Sequence, residues 1–235
     1  MNIAIIKAGG IGSRMGAGVP KQFITVVGKP IIIYTLQAFQ KHPGIDKIVV
    51  VCVKGWEELL HRYAEEYGIT KLVKIVAGGE TSLKSIRNGV YAIRDEFDPE
   101  DMVLIHDANR PLISQEIISD VLVESQQYGM AVAAIPCTDE IAIIQEGETN
   151  KSNQFTDHKK LYRIQTPDAY RLRIILSILD AASEEQLTKI GATNVLAIDM
   201  GYEMRFANGS ETNIRLTTQE DIVHLEAMLK AKNYE

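Results

Sequence analysis

The chain opens on a pattern with few foldable solutions. Residues 2–6 are apolar and rich in isoleucine, the composition of a buried strand, and the run breaks at Lys7 into Ala8-Gly9-Gly10-Ile11-Gly12-Ser13-Arg14-Met15. A buried strand that runs straight into a glycine-rich turn lets backbone N–H groups converge on an anion, because no Cβ bars close approach. Arg14 and Lys21 follow at a distance from which a basic side chain can fold back over a bound phosphate. Arginine offers a bidentate fork and lysine a point charge. Two familiar phosphate-loop patterns are absent. G-x-G-x-x-G starting at Gly10 needs glycine where Met15 stands, and no Gly-Lys-Ser/Thr occurs. A glycine turn alone is a weak signal. Combined with Arg14 and Pro20-Lys21-Gln22 it becomes specific.

The rest of the chain repeats a strand-then-helix rhythm. Residues 46–53 read as the next strand, and Ile48-Val49-Val50-Val51 is continuously apolar, as in a parallel strand covered on both faces. Further strands are expected at 72–76, 102–106 and 130–136, with helices at 30–40, 56–67, 83–94 and 114–128. Pro30 suits a first helical turn, Gly68 the position just past a helix end, and Thr81 or Ser82, and then Ser114, an N-cap. This alternation predicts an α/β fold with a Rossmann-like, doubly wound, mostly parallel sheet. Ligands bind such sheets at the carboxyl ends of strands, where the glycine turn, Gly79 and Asp107 all fall. Residues 138–161 interrupt the rhythm. They are polar, with strand-like pieces at 141–145 and 154–157, and predict either a protruding β-arm or a surface loop. Beyond Thr166-Pro167 a helix is expected over 172–182, strand-like pieces at 195–198 and 202–206, and a last helix over 219–230 capped by Thr217 or Thr218.

Composition narrows the classes. The 235 residues fit a single domain, 1–235, and 46% hydrophobic residues can fill a substantial core. A net charge of −6 argues against a nucleic-acid partner. Cys52 and Cys137 lie in apolar runs and no C-x-x-C exists, so reduced core cysteines are expected rather than disulfides or zinc. No signal-peptide pattern and no apolar run of about 20 residues is present, so a cytoplasmic protein with no membrane partner is expected.

Ala8-Gly9-Gly10-x-Gly12-x-Arg14-Met15 followed by Pro20-Lys21-Gln22 resembles the nucleotidyltransferase signature of the cytidylyltransferases that make CDP-alcohols. These are the ribitol-phosphate and methylerythritol-phosphate enzymes. The likeness continues through Gly78-Gly79-Glu80 and Ser85, His106-Asp107-x-x-Arg110-Pro111, Thr166-Pro167 and Asn213-Ile214-Arg215. The resemblance implies attack by an acceptor phosphate on the α-phosphate of CTP, release of pyrophosphate, a Mg²⁺ cofactor, and a homodimer whose arm completes the partner's site. Gln165-Thr166-Pro167 looks more like the ribitol branch, so D-ribitol 5-phosphate is the expected acceptor. The alternatives are 2-C-methyl-D-erythritol 4-phosphate, another phosphorylated acceptor, or an inactive nucleotide-binding scaffold. A dinucleotide-dependent oxidoreductase is disfavoured by the missing third glycine.

The resemblance also assigns residues. Arg14 and Lys21 would neutralise the α-phosphate, with Arg215 as a third catalytic cation. CTP would be held by Ala8, Gly9, Gly10, Ile11, Gly12, Ser13, Gly79, Glu80 and Ser85. The acceptor would meet Asp107, Arg110, Glu140, His158, Thr166 and Arg215, and Asp107 would hold Mg²⁺ or, alternatively, cap a helix. His106 reads as a packed histidine rather than a base. Lys7 is out of place at a buried strand end and is expected to reach the triphosphate or an acidic neighbour. The acceptor side departs from the family pattern. Asp139-Glu140 stands for Asp-Thr, His158 for an arm arginine, and Thr193-Asn194 for Thr-Asp. A carboxylate facing a phosphate dianion is repelled. Glu140 should therefore point away, pair with Lys159 or Lys160, or face a different acceptor.

Overall fold

The computed structural model describes residues 1–10, 18–145, 147 and 149–232. In chain order the first half runs β1 (Asn2–Ala8), β2 (Thr25–Val26), β3 (Lys29–Pro30), α1 (Ile31–Lys41), β4 (Lys47–Cys52), α2 (Glu57–Glu66), β5 (Leu72–Ala77), α3 (Ser82–Tyr91) and β6 (Met102–Asp107). It continues with α4 (Gln115–Tyr128), β7 (Met130–Pro136), β8 (Ile141–Ile143), β9 (Gln154–Thr156) and β10 (Tyr162–Arg171). The chain closes with α5 (Leu172–Ala181), α6 (Glu184–Lys189), α7 (Thr193–Asp199), β11 (Arg205–Asn208) and α8 (Gln219–Lys232).

Among the described residues a seven-stranded sheet runs in the order β11-β7-β10-β6-β1-β4-β5. β1 lies between β4 and β6 and is parallel to both. Its side chains alternate between two cores. Ala4, Ile6 and Ala8 pack with Ile32 and Leu36 of α1 and Ile118 of α4. Ile3 and Ile5 pack with Ile86 of α3 and Ile175 of α5. Helices thus cover both faces, which is why the strands read as continuous apolar runs. Gly89 lets α3 approach closely: a Cβ there would lie 2.6 Å from Val51 Cγ2 and 3.0 Å from Ile5 Cγ2. The caps are of the expected kind. Thr81 Oγ1 accepts from Lys84 N, Ser114 Oγ accepts from Ile117 N, and Gly68 takes a positive φ past the end of α2.

Three parts of the chain fold differently from the sequence expectation. Residues 195–198 are helical, inside α7, because burial at Thr193, Asn194, Leu196 and Ala197 follows the helical period while Val195 and Ile198 face outward. The strand expected at 202–206 lies slightly later, as β11. Most consequentially, β10 runs antiparallel between β6 and β7, with a register shift between Ile164 and Asp168 that spans the cis Thr166–Pro167 peptide. Polar residues, a proline and a bulge hide this strand from a pattern of alternation. The arm is a two-stranded hairpin, β8 against β9, with Ile141 opposite Thr156.

Candidate active site

The carboxyl ends of β1 and β6 and the start of α3 enclose a cavity of about 250 Å³, lined by Ala8, Gly9, Gly10, Lys21, Gln22, Gly79 and Ser85 among others. Gln22 fastens the turn: its buried amide Nε2 donates to Ala8 O at 2.6 Å and Gly10 O at 3.1 Å. Ser85 Oγ accepts from Gly79 N at 3.0 Å and donates to Thr81 O at 2.8 Å. Glycine is required at 79, where a Cβ would lie 2.8 Å from Lys84 Cβ. Glu80 stands at the exposed rim and pairs with Lys84 at 3.3 Å. Ile11, Gly12, Ser13 and Arg14 fall outside the described residues.

A second cavity, of about 190 Å³, adjoins the first and is lined by Arg110, Gln165, Thr166, Asp168, Thr193 and Asn194 among others. Lys7, Asp107 and Arg215 line both. Asp107 is almost fully buried at the end of β6 and faces three cations: Lys7 Nζ at 2.8 Å, Arg215 Nε at 3.4 Å and Arg110 Nε at 3.7 Å. Burial pushes its carboxyl up, but Lys7, Arg215 and Arg110 outweigh burial and hold it well below the usual carboxylate range. The expectation that Asp107 holds Mg²⁺ does not fit these surroundings. Its oxygens face cations at 2.8, 3.4 and 3.7 Å, which would repel a divalent ion.

The segment after β11 is knitted onto the site. Leu216 O accepts from Lys21 Nζ at 3.1 Å and from Asn109 Nδ2. Asn213 O accepts from Arg110 Nη1 at 2.6 Å. Asn213 Nδ2 donates to Thr166 O at 2.9 Å. These bonds bring Arg215, Lys21 and Arg110 to one place from distant parts of the chain.

His106 is buried and its hydrogen bonds define its tautomer. Arg110 O can only accept, so Nε2 carries the proton across the 3.2 Å contact. Nδ1 then accepts from Thr166 Oγ1 at 3.1 Å, and Thr166 Oγ1 accepts from Asp107 N at 3.2 Å. Burial pushes the imidazole pKa down to about 4, so the ring is neutral near pH 7. Asp168 is also buried. Burial pushes its carboxyl up, against the hydroxyls of Thr193 and Tyr170, which each donate to Oδ2 at 2.6 Å.

Two expected acceptor residues lie elsewhere. Glu140 and His158 sit in the arm, 3.4 Å apart, and neither lines either cavity of its own chain. Glu140 therefore pairs with His158, not with Lys159 or Lys160. Sequence reasoning missed Gln22, Asn109, Asp168 and Asn213 as site residues. Gln22 carried a signal, because a polar residue in the Pro-Lys-Gln triplet is immediately followed by buried Phe23. Asn213 carried one too, in the Asn213-Ile214-Arg215 triplet, whereas Asp168 carried none, since only the antiparallel return of β10 brings it in.

The sequence model of the family described as IspD: 2-C-methyl-D-erythritol 4-phosphate cytidylyltransferase matches residues 2–231. The chain is 41% identical to a ribitol-5-phosphate cytidylyltransferase of Lacticaseibacillus paracasei, over 99% of both chains. It is 32% identical to a 2-C-methyl-D-erythritol 4-phosphate cytidylyltransferase of Bacillus velezensis, over 98% of this chain and 97% of that one. Its fold matches the crystal structure of a 4-diphosphocytidyl-2C-methyl-D-erythritol synthase from Anaerococcus prevotii with a TM-score of 0.82, at 26% identity, over 98% of this chain and 96% of the other. The family match over nearly the whole chain, the full-length likeness to cytidylyltransferases and the shared fold agree, and the chain belongs to the 2-C-methyl-D-erythritol 4-phosphate cytidylyltransferase (IspD) family of nucleotidyltransferases.

Proposed function

We propose that this chain transfers the cytidylyl group of CTP to D-ribitol 5-phosphate, giving CDP-ribitol and pyrophosphate. The observation that carries the reading is the junction of the two cavities at Asp107 and Arg215. The glycine turn, Gly79 and Lys21 line one side, as a nucleotide requires. Arg110 and Thr166 line the other, as a phosphorylated polyol requires. The 41% likeness to a ribitol-5-phosphate enzyme favours that acceptor.

In this reading cytidine packs at Gly79 and Ser85, and the triphosphate lies against Ala8, Gly9 and Gly10 with Lys21 beside it. Glu80 contacts the nucleotide from the rim. The acceptor phosphate enters beside Arg110 and Thr166, and polyol hydroxyls donate to Asp107. An acceptor phosphate oxygen forms the new bond to the α-phosphorus. The α–β bridging bond breaks, and its electron pair leaves with pyrophosphate. No general base is needed, because a phosphate dianion is already a nucleophile, and neutral His106 has both ring nitrogens engaged. Lys21 and Arg215 stabilise the charge that gathers on the equatorial oxygens. Mg²⁺ would enter as MgCTP, a hard cation suited to phosphate oxygens, and would supply further neutralisation of the triphosphate charge beside Lys21.

We further propose one domain over 1–235 that works as a homodimer. The arm exposes Ile143, Ile144 and Phe155, the last at 80%, and would pack on a second copy, carrying Glu140 and His158 toward that copy's acceptor. A cytoplasmic location and supply of CDP-ribitol to a cell-surface polymer complete the reading. Among the described residues no helix is long and apolar enough to cross a membrane. The second reading, 2-C-methyl-D-erythritol 4-phosphate as acceptor, is favoured by the Bacillus velezensis relative.

The test is pyrophosphate release from MgCTP with D-ribitol 5-phosphate, 2-C-methyl-D-erythritol 4-phosphate and glycerol phosphates. Highest kcat/KM with D-ribitol 5-phosphate is the expected result. Preference for methylerythritol phosphate would move the acceptor to the second reading. CTP binding with silence across the panel would make the chain a nucleotide-binding scaffold.

A further inference from the structure

Any group passed between the two cavities moves past the three residues that line both. Asp107 and Arg215 have roles in the reaction above, whereas Lys7 has none. Yet Lys7 is next to last in β1, between buried Ile6 and Ala8, where a charge is costly unless it is matched. Its ammonium reaches Asp107 Oδ1 at 2.8 Å and Ser82 Oγ at 3.0 Å.

Matching Asp107 does not account for it. Arg215 and Arg110 already face that carboxylate at 3.4 and 3.7 Å, so Lys7 makes three cations around one anion. Asp168, the other buried acid of the second cavity, has its charged form disfavoured by burial and its Oδ2 occupied by two hydroxyls. The cluster therefore carries an excess of positive charge where the cavities join. Such an excess in a partly dry cleft attracts an anion. Lysine has three N–H donors, and the bonds to Asp107 and Ser82 use two.

We propose that Lys7 is a substrate-contacting residue that hydrogen-bonds a non-bridging oxygen of the nucleotide's α-phosphate and ties that phosphate to Asp107. The proposal rests on the reading that CTP fills the first cavity. The contact does two things. It holds the α-phosphorus at the mouth of the acceptor cavity, and it screens the Asp107 carboxylate from the phosphates that must pass it.

The test is CTP affinity by titration calorimetry with Mg²⁺, on the full chain, without acceptor. Lys7→Met should weaken CTP binding about tenfold or more, the value of a lost charge-assisted hydrogen bond. Cytidine, measured by competition, should bind as before, and Lys7→Arg should restore most of the affinity. The same loss should appear when Lys7→Met is made in an Asp107→Asn background. Unchanged CTP affinity would overturn the proposal. So would a loss that vanishes in the Asp107→Asn background, which would make Lys7 only a screen for that carboxylate. Should Lys7→Met not fold by circular dichroism, Lys7→Gln, which keeps a donor and removes the charge, reads the same loss. Wild-type protein that binds CTP but turns over no acceptor would sink the proposed reaction and leave the Lys7 comparison readable. Wild-type protein that binds no CTP would overturn both.

Discussion

Asp107, His106 and Thr166 form a chain of bonds in which each group has one protonation state that fits. The unfolded chain takes a proton on histidine near pH 6.5, whereas burial holds folded His106 neutral down to about pH 4. The unfolded state therefore binds more protons in that window, and stability falls as pH drops from about 6.5 toward 4. Asp107 extends the loss to lower pH, because its folded carboxyl resists the proton that an unfolded aspartate takes up near pH 3.9. Asp168 acts in the opposite sense, since burial raises its carboxyl and the folded state takes its proton first. Urea unfolding at pH 7, 5.5 and 4.5 should show a midpoint that declines with acid, and His106→Gln should flatten that decline. A midpoint independent of pH in the wild type would contradict the neutral tautomer. Much of this neighbourhood was legible in the sequence. His106-Asp107-x-x-Arg110 stands out at a strand end, and Lys7 demands an acid or a phosphate by its place in an apolar run. Asp168 was not legible, because nothing near it in sequence marks it as a neighbour of Asp107.

Among the elements, α3 is the one whose start walls the cavity proposed for CTP. Gly79 precedes it, Ser85 lies on it, and Gly89 presses it onto Val51 and Ile5 of the sheet. Gly89→Ala should cost about 1–3 kcal/mol by overpacking, despite the better helix propensity of alanine. It should also raise the KM for CTP as the start of the helix shifts. Chemical denaturation and steady-state kinetics read the two effects. A stabilised variant would show that the helix has room to move. The strands of the parallel half were legible because burial on both faces leaves an unbroken apolar run. β10 and α7 were not. β10 is half polar and bulged, and α7 carries Val195 and Ile198 on its outward side, where they mimic a strand. In both cases tertiary pairing, rather than local preference, decides the conformation.

At the scale of the whole molecule, the arm exposes Ile143, Ile144 and Phe155 beyond buried Cys137 at its root, and its described residues join none of the core clusters of the body. A two-stranded hairpin is marginal alone, so the proposed dimer would supply the missing surface. Sedimentation velocity should give a dimer, and Phe155→Asp should shift it toward monomer and lower turnover. A wild-type monomer with full activity would remove the arm from the reaction. The parallel order of most of the sheet followed from the strand–helix alternation, while the reach of the arm depends on β10. That strand has a further consequence. It leaves the arm directly, joins the sheet against β7 from Tyr162 and, running against its neighbours, carries Thr166 past Asp107. The hairpin and one wall of the acceptor cavity are thus a single uninterrupted stretch, from about residue 138 to 168, while the nucleotide side is built mainly from residues 7–22 and 79–85. In the proposed reaction, substitutions within that one short segment would therefore change both the dimer contact and the alcohol side at once, while leaving the residues proposed for CTP untouched.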